Sequence, residues 1–405
     1  MAEQRNRWTV LFFGMVCMLI MGVCYTYSLF QPYVMKHFNV DSPTASLPFT
    51  IFIAVFCLGN FIGGRMQQKT NLKLTLVVGY VLMVLGWFLT AFLPQDQFWL
   101  MYLTFGGLFG IGDGMVYNVI VALMPKWFPD RKGFATGLTL AMLGISATVF
   151  SPFVSIWLRD YGFVSSFCIV AFIYVGVGIL GTFTLSNPPA GFMSDYTGSG
   201  AVVATKKQFE VSEVLRVKEF WVIMGLYFCA VPAYLLLSAI FVTYGADRGL
   251  TPAMATLGVS LASLCQVAGR FAVPTISDWI GRKGAFAISF LLTAGGVALL
   301  TFATGYLYVI CFCLLSFSFG GCQACFAPIA ADRFGTKNLG TILSLTMIGF
   351  GVGSIGASIA AKILGTAAAF TCAGVVALIG ILLVCMLPSV KQMKAEQEAA
   401  MQKQS

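Results

Sequence analysis

Hydrophobic and polar positions alternate along this chain in long blocks rather than with the period of a strand or a surface helix. About twenty consecutive apolar residues suffice to cross a bilayer as an α-helix, and the runs here reach that length repeatedly. Placing helices on the runs and breaks on the polar and turn residues predicts twelve crossings, at about residues 8–34, 43–64, 74–93, 98–125, 133–158, 163–185, 220–246, 252–276, 284–303, 306–330, 339–361 and 367–388. One polar stretch is longer than the others. It starts Ser186-Asn187-Pro188-Pro189 and contains Thr197-Gly-Ser-Gly200. The pattern therefore predicts an N-terminal six-helix bundle over 1–185, a linker over 186–219, a C-terminal six-helix bundle over 220–388 and a tail over 389–405. Val211 to Glu219, at the linker's end, mixes apolar and charged residues near helical spacing, as a segment lying on a membrane surface does.

The halves resemble each other weakly. Gly133 to Ile145 set beside Asn338 to Phe350 shares Thr136 with Thr341, Leu138 with Leu343, Leu140 with Leu345, Met142 with Met347 and Gly144 with Gly349. Duplicated halves of this kind make pseudo-symmetric bundles around a central site. Gly106, Gly110 and Gly114 recur every four residues in the fourth run, and Gly349, Gly351, Gly353 and Gly356 crowd the eleventh. Either close packing or sliding between helices accounts for such spacing.

Composition then sets the class. Of 405 residues 59% are hydrophobic and 10% charged, where soluble domains carry about 25% charge; the mean hydropathy is +0.88. This is an all-α polytopic membrane protein. Met1 to Arg7 is short and polar, and the run from Trp8 reads as the first crossing rather than a cleaved leader. The net charge of +9 is a topology signal and not a nucleic-acid-binding patch. Of the 24 lysines and arginines, Lys36, Arg159, Arg248 and Lys362 fall on one side, Arg270 falls inside a run, and the rest share the side of both termini. The positive-inside rule makes that side cytoplasmic and the plasma membrane the expected location.

All twelve cysteines lie in apolar runs rather than loops, which argues against a disulfide framework. Cys322 and Cys325 have a metal-like spacing but no second pair and no histidine beside them, since the sole histidine is His37. They read as packing. With no Walker sequence, no catalytic constellation and no metal set, no cofactor is expected and the chain does not read as an enzyme; its energy comes from a solute or ion gradient.

Two charged residues fall far from any membrane edge: Asp113 in the fourth run and Arg270 in the eighth. A guanidinium inside a crossing costs about 2.5–3.5 kcal/mol on insertion scales, so it ordinarily faces a polar cavity. Its planar fork matches a carboxylate, which makes Arg270 a natural anion receptor; a structural salt bridge with Asp113 is the other reading. Asp113 and Tyr117 stand four apart on one helix face with Asn118 beside them. Tyr25 and Tyr27 interrupt the first run and Gln323 the tenth. Substrate contact or satisfied packing explains each of them.

Lys126-Trp-Phe-Pro-Asp130-Arg131-Lys-Gly133 after the fourth run, with Ser277-Asp278-Trp-Ile-Gly281-Arg282-Lys283 after the eighth, resembles the major facilitator superfamily. In the second segment Pro274 replaces the usual opening glycine, and the matching first-half loop, Gly63 to Asn71, lacks the acidic residue and second glycine. Asn6-Arg7-Trp8, Gly22-Val-Cys-Tyr25, the Trp-Phe-Pro-Asp-Arg block and Val259-Ser-Leu261 followed by Arg270 resemble the oxalate/formate antiporter family. The resemblance implies twelve transmembrane helices in the two bundles of the major facilitator fold, working by alternating access as a monomer. It implies Asp278, Gly281, Arg282, Asp130 and Arg131 as gating-loop residues, and Arg270 as the anion site with Tyr25 and Tyr117 closing around it. It also implies that the second cation of the oxalate carriers, a lysine, is replaced here by Thr346.

One arginine in a dry cavity suits a monocarboxylate such as lactate, pyruvate or formate better than a dianion. Desolvation penalises a charged carboxyl, so the expectation is that Asp113 takes a proton as Arg270 engages the substrate, and the two move together. Substrate-binding residues are then Arg270, Tyr117, Asn118, Tyr25 and Gln323, and Asp113 couples the proton. Carboxylate exchange is the alternative. A carboxylate sensor would need a soluble signalling domain, for which the predicted linker and tail leave no room.

Overall fold

The computed structural model describes residues 6–40, 42–189, 192, 198–199, 202–203, 208–246 and 248–388. Part of the linker, residues 190–191, 193–197, 200–201 and 204–207, and the whole tail expected from the sequence lie outside them. The helices are α1 (Arg7–Met21), α2 (Tyr27–Phe38), α3 (Ser42–Lys69), α4 (Leu72–Ala91), α5 (Gly110–Trp127), α6 (Lys132–Thr184), α7 (Val211–Val214), α8 (Lys218–Ala230), α9 (Pro232–Ala246), α10 (Pro252–Ile280), α11 (Arg282–Leu300), α12 (Gly305–Phe334), α13 (Leu339–Thr346), α14 (Ile348–Leu364) and α15 (Thr366–Met386). Two short strands, β1 (Gly198–Ser199) and β2 (Val202–Val203), pair antiparallel in the linker.

Among the described residues ten helices are long and apolar enough to cross a membrane. The difference from twelve is local. α6 is 53 residues long and contains Gly162 at φ 74°, ψ −171°, a conformation that only glycine adopts without strain, so it bends there into two crossings. The eleventh crossing is split into α13 and α14 at Met347, each half too short to be counted alone. The surface helix expected over Val211–Glu219 is one turn, α7, closed by a capping box between Glu210 and Glu213.

Large apolar side chains point outward, with Phe302 84% and Phe183 68% exposed, as befits a surface solvated by lipid tails. Association inside lipid is driven by packing rather than by water, and the interior shows it.

The chain forms two compact units, Met1–Trp127 with Met142–Phe192, and Phe128–Ala141 with Met193–Ser405. In unit 1 the buried Trp87 meets Phe30, Phe105, Phe109 and Phe167 at ring separations of 5.0–5.6 Å. Gly106, Gly110 and Gly114 seat α3 against the fourth crossing, because a Cβ there would run into Ile51, Phe52 or Phe56. The helix entering that crossing, Tyr102–Phe109, is π-helical. In unit 2 Phe241, Tyr308 and Phe312 stack at 4.3–5.0 Å inside a cluster with Leu237, Val297 and Phe370.

The excursion Phe128–Ala141 belongs to unit 2 although the chain on either side of it belongs to unit 1. The linker's end is also strapped into unit 2. Phe209 N donates to Phe334 O, the Gln208 side-chain oxygen accepts from Thr336 and Lys337 N, and Glu210 pairs with Lys337 at 2.6 Å. Lys337 together with Asn338 holds the Glu210 carboxyl below its usual range.

Candidate functional site

Arg270 lies inside α10, half-buried, and among the described residues its guanidinium has no carboxylate partner. Gln266 stands one turn earlier on the same face, and both it and Arg270 lie near enough to the Tyr234 hydroxyl from α9 to influence it. The Tyr234 ring is held by stacking on Phe319 at 4.3 Å and Phe312 at 6.2 Å. Gln323 follows Phe319 by one turn of α12, half-buried, with its side-chain nitrogen lacking a partner among the described residues. Arg270, Gln266 and Tyr234 are therefore neighbours within unit 2, and Gln323 lies one turn of α12 beyond the Phe319 on which Tyr234 stacks. Sequence reasoning singled out Arg270 and Gln323 but missed Tyr234 and Gln266.

Thr346, at the position the family resemblance gives to a second cation, is 0% exposed, and its hydroxyl donates to Leu343 O at 2.8 Å. It stands at the break between α13 and α14. Arg270 is the cation of the site described here.

A second polar cluster of unit 2 is built on the loop between α10 and α11. Gly281, at φ 86°, turns the chain so that Arg282 folds back onto Asp278. Arg282 Nη1 lies 2.6 Å from Asp278 Oδ1 and its Nε 2.8 Å from Asp332 Oδ2; Lys132 Nζ lies 2.6 Å from Asp332 Oδ1. Two cations and two anions balance. Asp278 also accepts from the backbone N–H groups of Gly133 and Phe134, at 3.1 and 3.0 Å, and so caps the positive end of α6. A Cβ at Gly133 would collide with the Pro274 carbonyl, which is why glycine stands where α6 starts against α10. Lys132 and Asp332 are 3% exposed at the side chain, so this is a buried ion network and not a surface pair. Of the loop residues expected from the sequence, Asp278, Gly281 and Arg282 are in it. Asp130 and Arg131 pair with each other at 3.8 Å, with Arg131 largely exposed.

Unit 1 holds the other intramembrane charge. Asp113 is 4% exposed, forms no ion pair among the described residues, and one carboxyl oxygen has no hydrogen-bond partner there. Cys24, Tyr80 and Tyr174 surround it closely enough to feel its charge. Cys24 comes from the stretch Gly22–Thr26, where the first crossing tightens into a 3₁₀ turn between α1 and α2. Tyr25, in the same turn, is 46% exposed. Tyr117 packs edge-on to Phe56 at 5.2 Å, and Asn118 is buried and donates to Asn60 at 2.6 Å. Tyr27 donates to Ala45 O at 2.7 Å, a packing role. Arg270 and Asp113 thus belong to different units.

Among the described residues no group of three or more His, Cys, Asp or Glu could hold a metal ion. Cys322 and Cys325 are buried side by side in α12.

Comparison with known proteins adds the family. The model of the Major Facilitator Superfamily matches residues 11–357 and 223–404. The chain is 25% identical over 364 residues to an uncharacterized MFS-type transporter of Escherichia coli, covering 87% of each. It is 29% identical over 335 residues to the oxalate:formate antiporter of Oxalobacter formigenes, covering 82% of this chain and 78% of that one. Its fold matches the crystal structure of the E. coli fucose:proton symporter with a TM-score of 0.72 at 16% identity, over 93% of this chain and 98% of that one.

Proposed function

The chain belongs to the major facilitator superfamily, and we propose that it carries a small monocarboxylate, of the lactate, pyruvate or formate class, together with a proton. The observation that carries this reading is Arg270: a guanidinium inside a membrane crossing, with no carboxylate partner among the described residues and with Gln266 and Tyr234 beside it. A cation left uncompensated in a dry wall is costly, and a bound carboxylate compensates it through two parallel N–H···O bonds. The Gln266 amide and Tyr234 hydroxyl supply further hydrogen bonds, and Gln323 an additional donor. Tyr25 and Tyr117, which the resemblance assigns to substrate contact, belong to unit 1.

Asp113 is the proton site of this proposal. It is an acid buried in unit 1 with an oxygen left over, and a proton there removes the cost of an unpaired buried charge. Anion and proton then cross as a neutral sum. The network of Lys132, Asp278, Arg282 and Asp332 serves as the latch on the cytoplasmic side. It grips the start of α6 in one state and releases it in the other. Both termini are then cytoplasmic and the membrane is the plasma membrane, as the lysine and arginine distribution favours.

Exchange of carboxylates is the second reading, favoured by the relative that is an oxalate:formate antiporter. Thr346, buried and internally bonded, leaves Arg270 without the companion a dianion needs. Uptake of radiolabelled L-lactate into proteoliposomes under an imposed inward proton gradient separates the two. Gradient-driven accumulation supports symport of a monocarboxylate, whereas oxalate exchange without lactate uptake overturns it.

A further inference from the structure

The two units repeat the same helix contacts internally. Gly59 lies against Ile111 as Gly269 lies against Phe317, and Gly114 against Phe56 as Gly320 against Gln266. Gly86 lies against Phe109 as Gly296 lies against Leu315, and Gly178 of α6 against Tyr80 as Gly380 of α15 against Phe290. One constant offset relates α3 and α4 to α10 and α11, and it also sets the start of α4 at Leu72 on the start of α11 at Arg282. A second offset relates the fourth crossing to α12. These offsets match Tyr80 with Phe290 and Asp113 with Phe319, which are 0% and 7% exposed. Unit 2 fills both places with phenylalanine, so the fold needs neither polar group.

Tyr80 and Asp113 turn to the same side of one helix contact. Gly79 lies against Gly112 and Gly86 against Phe109, so α4 and the fourth crossing run antiparallel. Each residue of a helix turns about 100° from the last, and in an antiparallel pair the residues that follow the contact point swing to the same side. On that side the Tyr80 ring lies along Gly178, and its oxygen and the Cys17 sulfur each lie 3.2 Å from where a Gly181 Cβ would stand. Tyr80 is 3% and Asp113 4% exposed, and the Tyr80 hydroxyl and one Asp113 oxygen have no hydrogen-bond partner among the described residues. Cys17 offers a weakly polar thiol. A buried hydroxyl left so costs stability and, by comparison with Phe290, gains nothing in packing. Gly181 stands three residues before the end of α6 at Thr184, about 4.5 Å along the axis, while Tyr174, which feels the Asp113 charge, stands about 10 Å further in. The Tyr80 hydroxyl thus lies between Asp113 and the end of unit 1 where α4 begins and α6 ends.

We propose that Tyr80 is the relay through which Asp113 exchanges its proton with that membrane edge, a step that rests on the proton-coupled reading of Asp113. A phenol donates and accepts at one atom, which phenylalanine cannot do. The other hydroxyl near Asp113, that of Tyr174, is committed to Met21 O at 3.3 Å. Protonated Asp113 passes its proton to the Tyr80 oxygen, directly or through one water, while the O–H proton of Tyr80 leaves to water at the edge. The carboxyl O–H and the old phenol O–H break, and a new phenol O–H and a hydronium O–H form. Tyrosine ends as it began and Asp113 is left a carboxylate. The reverse sequence loads Asp113.

The test uses the purified full-length protein in proteoliposomes that enclose the pH dye pyranine. External L-lactate is added and internal acidification is followed, beside exchange of radiolabelled for unlabelled lactate in the same vesicles. Proton transfer through a positioned side chain contributes about 10²–10⁴-fold to a rate, so Tyr80→Phe is expected to acidify at least about tenfold more slowly than wild type. Its lactate exchange stays at the wild-type rate and its melting temperature is unchanged or higher, because phenylalanine already fills the matching place in unit 2. Acidification by Tyr80→Phe at the wild-type rate overturns the relay and leaves the role of Asp113 standing. A lower melting temperature, or exchange lost along with acidification, also overturns it, since the hydroxyl is then a structural bond or a substrate contact. Wild-type vesicles that exchange lactate without acidifying, or take up none, overturn the carriage of a proton with lactate and the relay with it.

Discussion

Lys132 and Asp332 are 200 residues apart in the chain and 2.6 Å apart in space, both nearly inaccessible to solvent. Because Arg282 holds the other oxygen of Asp332 at 2.8 Å, one carboxylate bridges two buried cations. Breaking a buried pair by removing one partner costs about 3–5 kcal/mol, since a charge is left unpaired. Asp332→Asn is therefore expected to lower the melting temperature of the detergent-solubilised protein markedly. Lys132→Met alone should cost less than Asp332→Asn, because Arg282 then keeps Asp332 to itself. Equal melting of wild type and Asp332→Asn would show that the network is not closed in solution.

Asp278 touches α6 through its backbone, accepting from Gly133 and Phe134 N, as well as through Arg282. Asp278→Ala removes a cap, worth about 0.5–2 kcal/mol, together with a buried counter-ion. The expected outcome is a looser start of α6, read as faster backbone hydrogen exchange over residues 133–136, with exchange in α15 unchanged. Uniform exchange across both segments would place the cap's contribution elsewhere.

Arg270→Lys keeps the charge and loses the fork. Hydrogen bonds to charged groups are worth about 1.5–3 kcal/mol, so the expected loss in substrate affinity is roughly tenfold to a hundredfold, with Arg270→Gln worse still. Tyr234→Phe removes a neutral hydrogen bond of about 0.5–1.5 kcal/mol and should raise the KM for uptake severalfold with little change in the maximal rate. A Tyr234→Phe protein with wild-type KM would reduce Tyr234 to a packing residue.

How far these residues were legible in the sequence depended on contrast with their surroundings. Arg270 and Asp113 stood out because charge in the middle of an apolar run is expensive and therefore rare. Gly281 and Arg282 stood out through a loop pattern. Lys132 and Asp332 did not, since each lies at the edge of a run, where charges are ordinary, and their partnership spans the two halves of the sequence. Tyr234 and Gln266 were hidden for another reason: hydroxyls and amides are common in such helices, and rotation about a helix axis cannot be read from hydropathy to better than a face. The twelve crossings followed from run length, because lipid requires every backbone group to be satisfied within the helix. Of the breaks, Gly162 falls at the boundary drawn between the fifth and sixth runs, where Arg159 and Asp160 interrupt them, whereas Gly22–Thr26 and Met347 lie inside runs read as continuous.

Asp113 carries the last prediction. Its carboxyl is buried among Cys24, Tyr80 and Tyr174, without an ion pair among the described residues. Asparagine has the same shape and carries no titratable proton, so Asp113→Asn should fold and bind substrate. A carrier that needs the acid to bring a proton across can no longer use a proton gradient, yet an exchange cycle that never returns empty needs no proton at all. The expected phenotype is therefore split: L-lactate accumulation under an inward proton gradient is lost, while exchange of internal for external lactate in proteoliposomes stays near the wild-type rate, with its pH dependence flattened. If accumulation survives in Asp113→Asn, the proton is carried elsewhere and Asp113 is a buried polar residue of the unit 1 core. Loss of accumulation and exchange together, with normal melting, would instead place Asp113 in the path of the substrate itself.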